Sequence, residues 1–250
     1  MAVSVWWLPA LGLVAFLYAS VGHAGASGYI AVLALVGMPA AVIKPLALLL
    51  NLLVAAQGSW QFWRAGHLRW GVFWPVLLAG LPAAFLGGWL NLPTSGFQRL
   101  VALVLLASAL RFLVEPRDPP ELVAPQPLAL AGWGTGLGLL AGLTGTGGGV
   151  FLTPLLLFQR WASTRQAAAV SSLFILGNSF SGLTGLLVAR RGALGLAVPP
   201  AAVAAMAAVV LAAGALGSRL GSLHWPVAWI RRTLAVVLVL AAIKLLAPGR

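Results

Sequence analysis

Residues 142–149 read Gly-Leu-Thr-Gly-Thr-Gly-Gly-Gly and stand inside an apolar stretch. Glycine weakens a helix by roughly 1 kcal/mol per residue relative to alanine, so Gly145, Gly147, Gly148 and Gly149 predict an interruption. An interrupted helix frees backbone N–H and C=O groups that lipid cannot satisfy, and membranes tolerate the break where protein or a water-filled cavity surrounds it. N–H groups at the start of the segment beyond would carry the positive end of a helix dipole, which suits an anion. Thr144 and Thr146 add hydroxyls beside them. A shorter echo, Gly22-His23-Ala24-Gly25-Ala26-Ser27-Gly28, lies 120 residues earlier, and paired interrupted segments in two halves point to a transporter's binding site. Small residues also let membrane helices approach closely. Against that packing explanation, Gly147-Gly148-Gly149 leads into a short apolar segment with Pro154 and has a counterpart in the other half, which favours a site.

Polar residues on the spans that follow extend the candidate set. Asn51, Ser171, Ser172 and Asn178 lie in apolar surroundings, and seven-residue spacing lets one helical face present Ser171 and Asn178 together. Lys44, at the start of a span, either points into a cavity and attracts an anion or snorkels to the interface. His23 either donates to an anion and titrates near neutral pH or packs as a neutral ring. The absences matter as much. The three acidic residues, Glu115, Asp118 and Glu121, all fall in one polar stretch, so no apolar segment carries the carboxylate that proton relays and cation sites commonly use. There is no cysteine, and the three histidines, His23, His67 and His224, are far apart; neither a metal site nor a cofactor is expected. Paired acids for hydrolysis are missing too, which argues against an enzyme.

The elements that must position these residues are membrane helices. The chain of 250 residues is 61% hydrophobic and 7% charged, with a mean hydropathy of +1.02, against about 25% charged in a soluble domain. Apolar segments cover 5–21, 28–37, 41–62, 71–90, 97–114, 127–143, 149–158, 166–189, 195–216 and 229–247. The second and seventh are too short to cross, since about 10 helical residues cover ~15 Å of a ~30 Å core. The expected fold is therefore an all-α polytopic membrane protein: about eight long transmembrane helices plus two short broken or re-entrant segments. It is arranged as two homologous halves, residues 1–114 and 128–250, joined by a polar, proline-rich linker at 115–127. At an offset of 126–127, Asn51 falls on Asn178 and Gly66 on Gly192. Four crossings per half would make the repeats parallel and five would invert them; the basic residues divide too evenly to choose.

A net charge of +12 would suggest nucleic acid in a soluble protein. Here the arginines sit between apolar segments, where they meet anionic lipid, and no soluble domain remains to bind nucleic acid. Trp60, Trp63, Trp70 and Trp74, with Arg64 and Arg69 among them, and Trp225 and Trp229 beside Arg231-Arg232, read as interfacial belts. The N-terminus lacks a basic region before its apolar stretch, which argues against a cleaved signal and for a retained first span.

Gly142 to Pro154, with Ala168-Ala169-Val170-Ser171-Ser172-Leu173-Phe174 and Asn178-Ser179, resembles the second-half signature of the sulfite exporter TauE/SafE family. Tyr18 to Tyr29, Leu50-Asn51-Leu52-Leu53-Val54, Phe62 and Arg64-Ala65-Gly66-His67 resemble a branch of the same family. The resemblance implies a multi-pass permease of a bacterial-type inner (plasma) membrane for small sulfur-containing anions such as sulfite or organosulfonates. The first motif departs from the glycine-rich form, with Ser27 and Tyr29 where the second has Gly147 and Gly149. The expected partners are a small anionic substrate and the lipid bilayer, with room for a homo-oligomer. The alternatives are an anion channel and a non-transporting membrane scaffold or assembly subunit.

Overall fold

A computed structural model describes residues 7–20, 23–90, 92–113, 121–193, 195–196, 198–221 and, between 235 and 246, all but 237, 241 and 244. Every regular element among them is helical: α1 (Trp7–Ser20), α2 (Ala26–Leu35), α3 (Ala40–Arg64), α4 (Trp70–Trp89), α5 (Thr94–Leu113), α6 (Pro127–Thr144), α7 (Gly149–Phe158), α8 (Thr164–Ala189) and α9 (Pro200–Gly221). These elements follow the apolar segments of the sequence closely. Among the described residues, α3, α4, α6, α8 and α9 are long and apolar enough to cross a membrane. The tenth apolar segment lies partly outside the described residues; Ala235, Leu238 and Ala242 within it are buried.

Glycine sets where α6 stops and where α7 starts. Gly145 ends α6 in the left-handed conformation, φ 83°, with its N–H on the Ala141 carbonyl, the ordinary helix stop that lacks a Cβ penalty only for glycine. Gly148, φ 76°, is the residue before α7. Between them Gly147 is left-handed as well. Ser163 starts α8 with a capping box, its side chain accepting from the Gln166 N–H while the Gln166 side chain accepts from the Ser163 N–H, which satisfies two orphan donors.

α6 and α7 do not make one broken span. The Val123 N–H, just before α6, donates to the Arg160 carbonyl, just after α7, at 2.8 Å. The chain thus returns beside the point where it entered. α7 doubles back toward the start of α6 instead of continuing its direction. α1 and α2 make a second antiparallel pair, joined by the Tyr18 and Ser27 hydroxyls at 2.7 Å.

Contacts between helices fix their directions. α3 and α8 run antiparallel: Ala41 meets Arg190, Asn51 meets Ser179 and Ser59 meets Ser172. α4 runs with α6, as Val76, Gly80 and Ala84 face Gly134, Gly138 and Gly142 in register. α4 also runs with α8, where Leu81 meets Ser181 and Phe85 meets Gly185. α1 runs with α9, with Gly12 at Val209 and Gly217 at Phe16.

The α4–α6–α8 seam is a glycine seam. A Cβ on Gly134, Gly138 or Gly142 would lie 2.3, 2.3 or 2.1 Å from a backbone oxygen of α4. One on Gly88 would lie 2.0 Å from the Gly182 carbonyl oxygen. Removing side chains brings backbones into contact, the dispersion-driven packing that membrane helices use in place of a hydrophobic driving force. Gly142, the first glycine of the motif, belongs to this seam. Facing outward, Trp60, Trp63, Trp70 and Trp74 are half exposed, with Arg64 over the Trp60 ring at 5.8 Å. Trp225 and Trp229, read from the sequence as a second belt, lie outside the described residues.

Candidate functional site

The break between α6 and α7 is wholly buried, from Thr144 through Gly149. Two turns of α3 lie against it. Gly145 approaches the Lys44 backbone, its position for a Cβ being 3.2 Å from the Lys44 carbonyl oxygen. Gly147 approaches Asn51, where a Cβ would sit 2.3 Å from the amide nitrogen, 2.9 Å from Ile175 and 3.2 Å from the Ser179 hydroxyl. Lys44 and Asn51 are seven residues apart and share a helical face. This approach is why position 147 carries no side chain.

The polar groups around the break divide into bonded and unbonded. The Thr144 hydroxyl meets the Leu140 carbonyl at 2.7 Å and the Thr146 hydroxyl at 2.9 Å, and accepts from the Thr146 N–H. Asn51 donates through its amide to the Ser179 hydroxyl at 2.9 Å. The Asn51 amide oxygen has no hydrogen-bond partner among the described residues, and neither amide atom of Asn178 has one, although both side chains are fully buried. Among the described residues, the N–H groups of Gly147 and Gly148 donate to no protein acceptor. A buried polar group left unmatched costs about 1–3 kcal/mol, so this concentration of unmatched donors and acceptors is expensive unless something else meets them. The Asn178 amide oxygen faces α4, 3.1 Å from where a Gly80 Cβ would stand.

Ser171 and Ser172 occupy two different contacts. The Ser171 hydroxyl accepts from Thr153 of α7 at 2.9 Å, and its backbone oxygen is 3.3 Å from the Cβ position of Gly149. The Ser172 hydroxyl is 3.3 Å from that of Ser59, beside Gly58. Ser171 and Asn178 are both fully buried on α8, Ser171 against Thr153 of α7 and Asn178 with its amide oxygen toward α4. Ser179, Thr153 and Ser59 complete these contacts and were not among the candidates. The pair Asn178-Ser179 offered a signal for Ser179, since adjacent polar residues in a span must each find a partner.

The Lys44 side chain is largely buried, turned toward the end of α4. Its ammonium donates to the Gly87 carbonyl at 3.0 Å and the Gly88 carbonyl at 3.2 Å, with Leu90 at 3.5 Å. The C-terminus of α4 holds its charge, where the helix dipole is negative.

The first motif is built differently. Gly25, φ 95°, precedes α2, and a Cβ there would strike the Tyr29 ring at 2.9 Å. Gly28 is pressed against Val14 and Tyr18, and Ser27 is bonded to Tyr18. Tyr18 and Tyr29 thus pack against the glycines of the first motif, where Asn51 and Ile175 pack against Gly147 and Gly149 of the second. His23 lines a small cavity of about 20 Å³ with Gln57, Ser172 and Ser218, room for about one water. Gly22 lies outside the described residues. α2 packs on α1, α3 and α5, whereas α7 packs on α8 and α5; α3 packs on both α2 and α8. No cluster of metal-ligating residues occurs among the described residues.

Stacked apolar helices around a buried, hydrogen-bond-poor break define a multi-pass helical membrane protein. Residues 7–245 match the family described as Sulfite exporter TauE/SafE. The chain is also 38% identical over 239 residues to the "Probable membrane transporter protein y4hK" of Sinorhizobium fredii (strain NBRC 101917 / NGR234), covering 94% of each chain. It belongs to the TauE/SafE family of membrane transporters. No solved structure matches it.

Proposed function

We propose that this protein is a permease for small sulfur-containing anions such as sulfite or organosulfonates, in a cell (inner or plasma) membrane, and that the substrate sits at the α6–α7 break. The observation that carries this reading is the set of unmatched polar groups there: the N–H groups of Gly147 and Gly148, with the Asn51 amide completing the wall. N–H donors at the start of α7 favour negative charge. The amide groups of Asn51 and Asn178 can orient substrate oxygens without supplying a charge that would hold them too tightly for release. Membership of a family described as sulfite exporters supports the sulfur-oxyanion class.

The two halves, 1–114 and 128–250, act as inverted repeats about the 115–127 linker. α3 crosses α8 antiparallel at Asn51 and Ser179. An in-plane axis relating Asn51 to Asn178 requires a crossing at that level. Alternating access then follows from one half moving against the other. The second motif contributes most of the substrate contacts, and the tyrosine-packed first motif supplies the opposite wall with His23.

Flux of labelled sulfite into proteoliposomes tests this. Saturable uptake, competed by an organosulfonate and not by acetate, is the expected result. Non-saturating conductance would make the protein a channel, and no flux of any anion from well-folded protein would favour a scaffold.

A further inference from the structure

A second cavity, of about 190 Å³, opens where α3, α5 and the C-termini of α4, α6 and α8 come together. Its walls include Lys44, Arg190, Thr94 and the first two residues of α3, Ala40 and Ala41. No acidic side chain stands among the described residues that line it. Both cations are held in place by backbone: Lys44 on the α4 carbonyls, and Arg190 on the Ala41 carbonyl at 3.1 Å. Two like charges drawn to one cavity repel. Leu143, on its wall, immediately precedes the Thr144–Gly145 end of α6. Gly145 in turn packs on the Lys44 backbone.

We infer that this cavity is an anion-binding vestibule, in which Lys44 and Arg190 capture a small oxyanion before it passes to the glycine break. The ligand class is a compact inorganic or organic oxyanion, and the binding is electrostatic. A guanidinium offers a planar fork to oxyanions, and a cleft lined by one sign of charge raises the local concentration of its counter-ion. The vestibule itself stands on the two cations and the cavity; only its role as the approach to the break rests on the function proposed above.

The test is equilibrium titration of sulfite into purified full-length protein and three variants: Arg190→Gln, Asn51→Ala and the two combined. Arg190→Lys serves as the charge-keeping control, and melting in the absence of anion verifies folding. The vestibule predicts that Asn51→Ala removes a tighter binding step and leaves a weaker, salt-sensitive one. Arg190→Gln should weaken that residual step at least tenfold, and Arg190→Lys should restore most of it. Binding abolished by Asn51→Ala alone, with Arg190→Gln and wild type alike, would overturn the vestibule and leave the glycine site standing. Binding unchanged in Asn51→Ala but lost in Arg190→Gln would keep the vestibule and remove the glycine site. No saturable binding to wild type would overturn both.

Discussion

A methyl group at position 147 would stand 2.3 Å from the Asn51 amide nitrogen, in a backbone conformation of φ 72° that costs alanine roughly 1–2 kcal/mol. Gly147→Ala is expected to lower sulfite uptake in proteoliposomes more than tenfold while the melting temperature falls only by a few degrees. Asn178 separates site from scaffold more sharply. Both its amide atoms are buried without partners, so Asn178→Leu removes an unmet polar group of similar volume. Its melting temperature in detergent should hold or rise, because unmet groups cost about 1–3 kcal/mol, while sulfite affinity falls. A loss of stability with affinity unchanged would make Asn178 structural. The glycines, Asn51 and Asn178 were legible because each is costly in a hydrophobic stretch and demands a reason. The role of Lys44 was not: a basic residue at a span's start looks the same whether it snorkels or caps a neighbouring helix, and only the α4 carbonyls distinguish the two.

At the scale of helices, the glycines divide into two populations with different consequences. Those of the seam face backbone oxygens, which cannot rotate away as side chains can. Gly185→Ala would place a carbon 2.1 Å from the Phe85 carbonyl oxygen, and overpacking of this kind costs about 1–3 kcal/mol. Thermal melting should show a clear fall, with sulfite affinity of the folded protein within about twofold of wild type; a tenfold affinity loss at unchanged stability would tie the seam to binding. The four-residue spacing of Gly134, Gly138 and Gly142 signals such packing in the sequence, and α4 answers with Gly80, Ala84 and Gly88. Element boundaries were readable because apolar runs end at glycine, proline or arginine; the Ser163–Gln166 capping box at the start of α8 was equally present. What the sequence left open was how α7 leaves the break. A ten-residue apolar helix fits a broken span and a re-entrant turn alike, and the choice depends on a contact between Val123 and Arg160 that no local pattern encodes.

For the molecule as a whole, the proposed inverted repeats require the two hairpins to enter from opposite faces of the membrane. The chain has no cysteine, so single replacements report cleanly. Pro39→Cys, after the first hairpin, and Gln159→Cys, after the second, both at exposed positions, should react with a membrane-impermeant thiol reagent from opposite sides. Reaction from the same side would refute the inverted arrangement. Composition could not decide this, because an even split of basic residues carries little orienting information. The central claim, a buried oxyanion site at the α6–α7 break, is tested most directly by thermal stability of the purified protein against a panel of small anions. A ligand that binds only the folded state adds about 2.7 kcal/mol at a hundred times its dissociation constant. The account predicts that sulfite or an organosulfonate raises the melting temperature, that chloride and acetate do not, and that the rise disappears in Gly147→Ala. Equal stabilisation by all anions, or a rise that survives in Gly147→Ala, would contradict it.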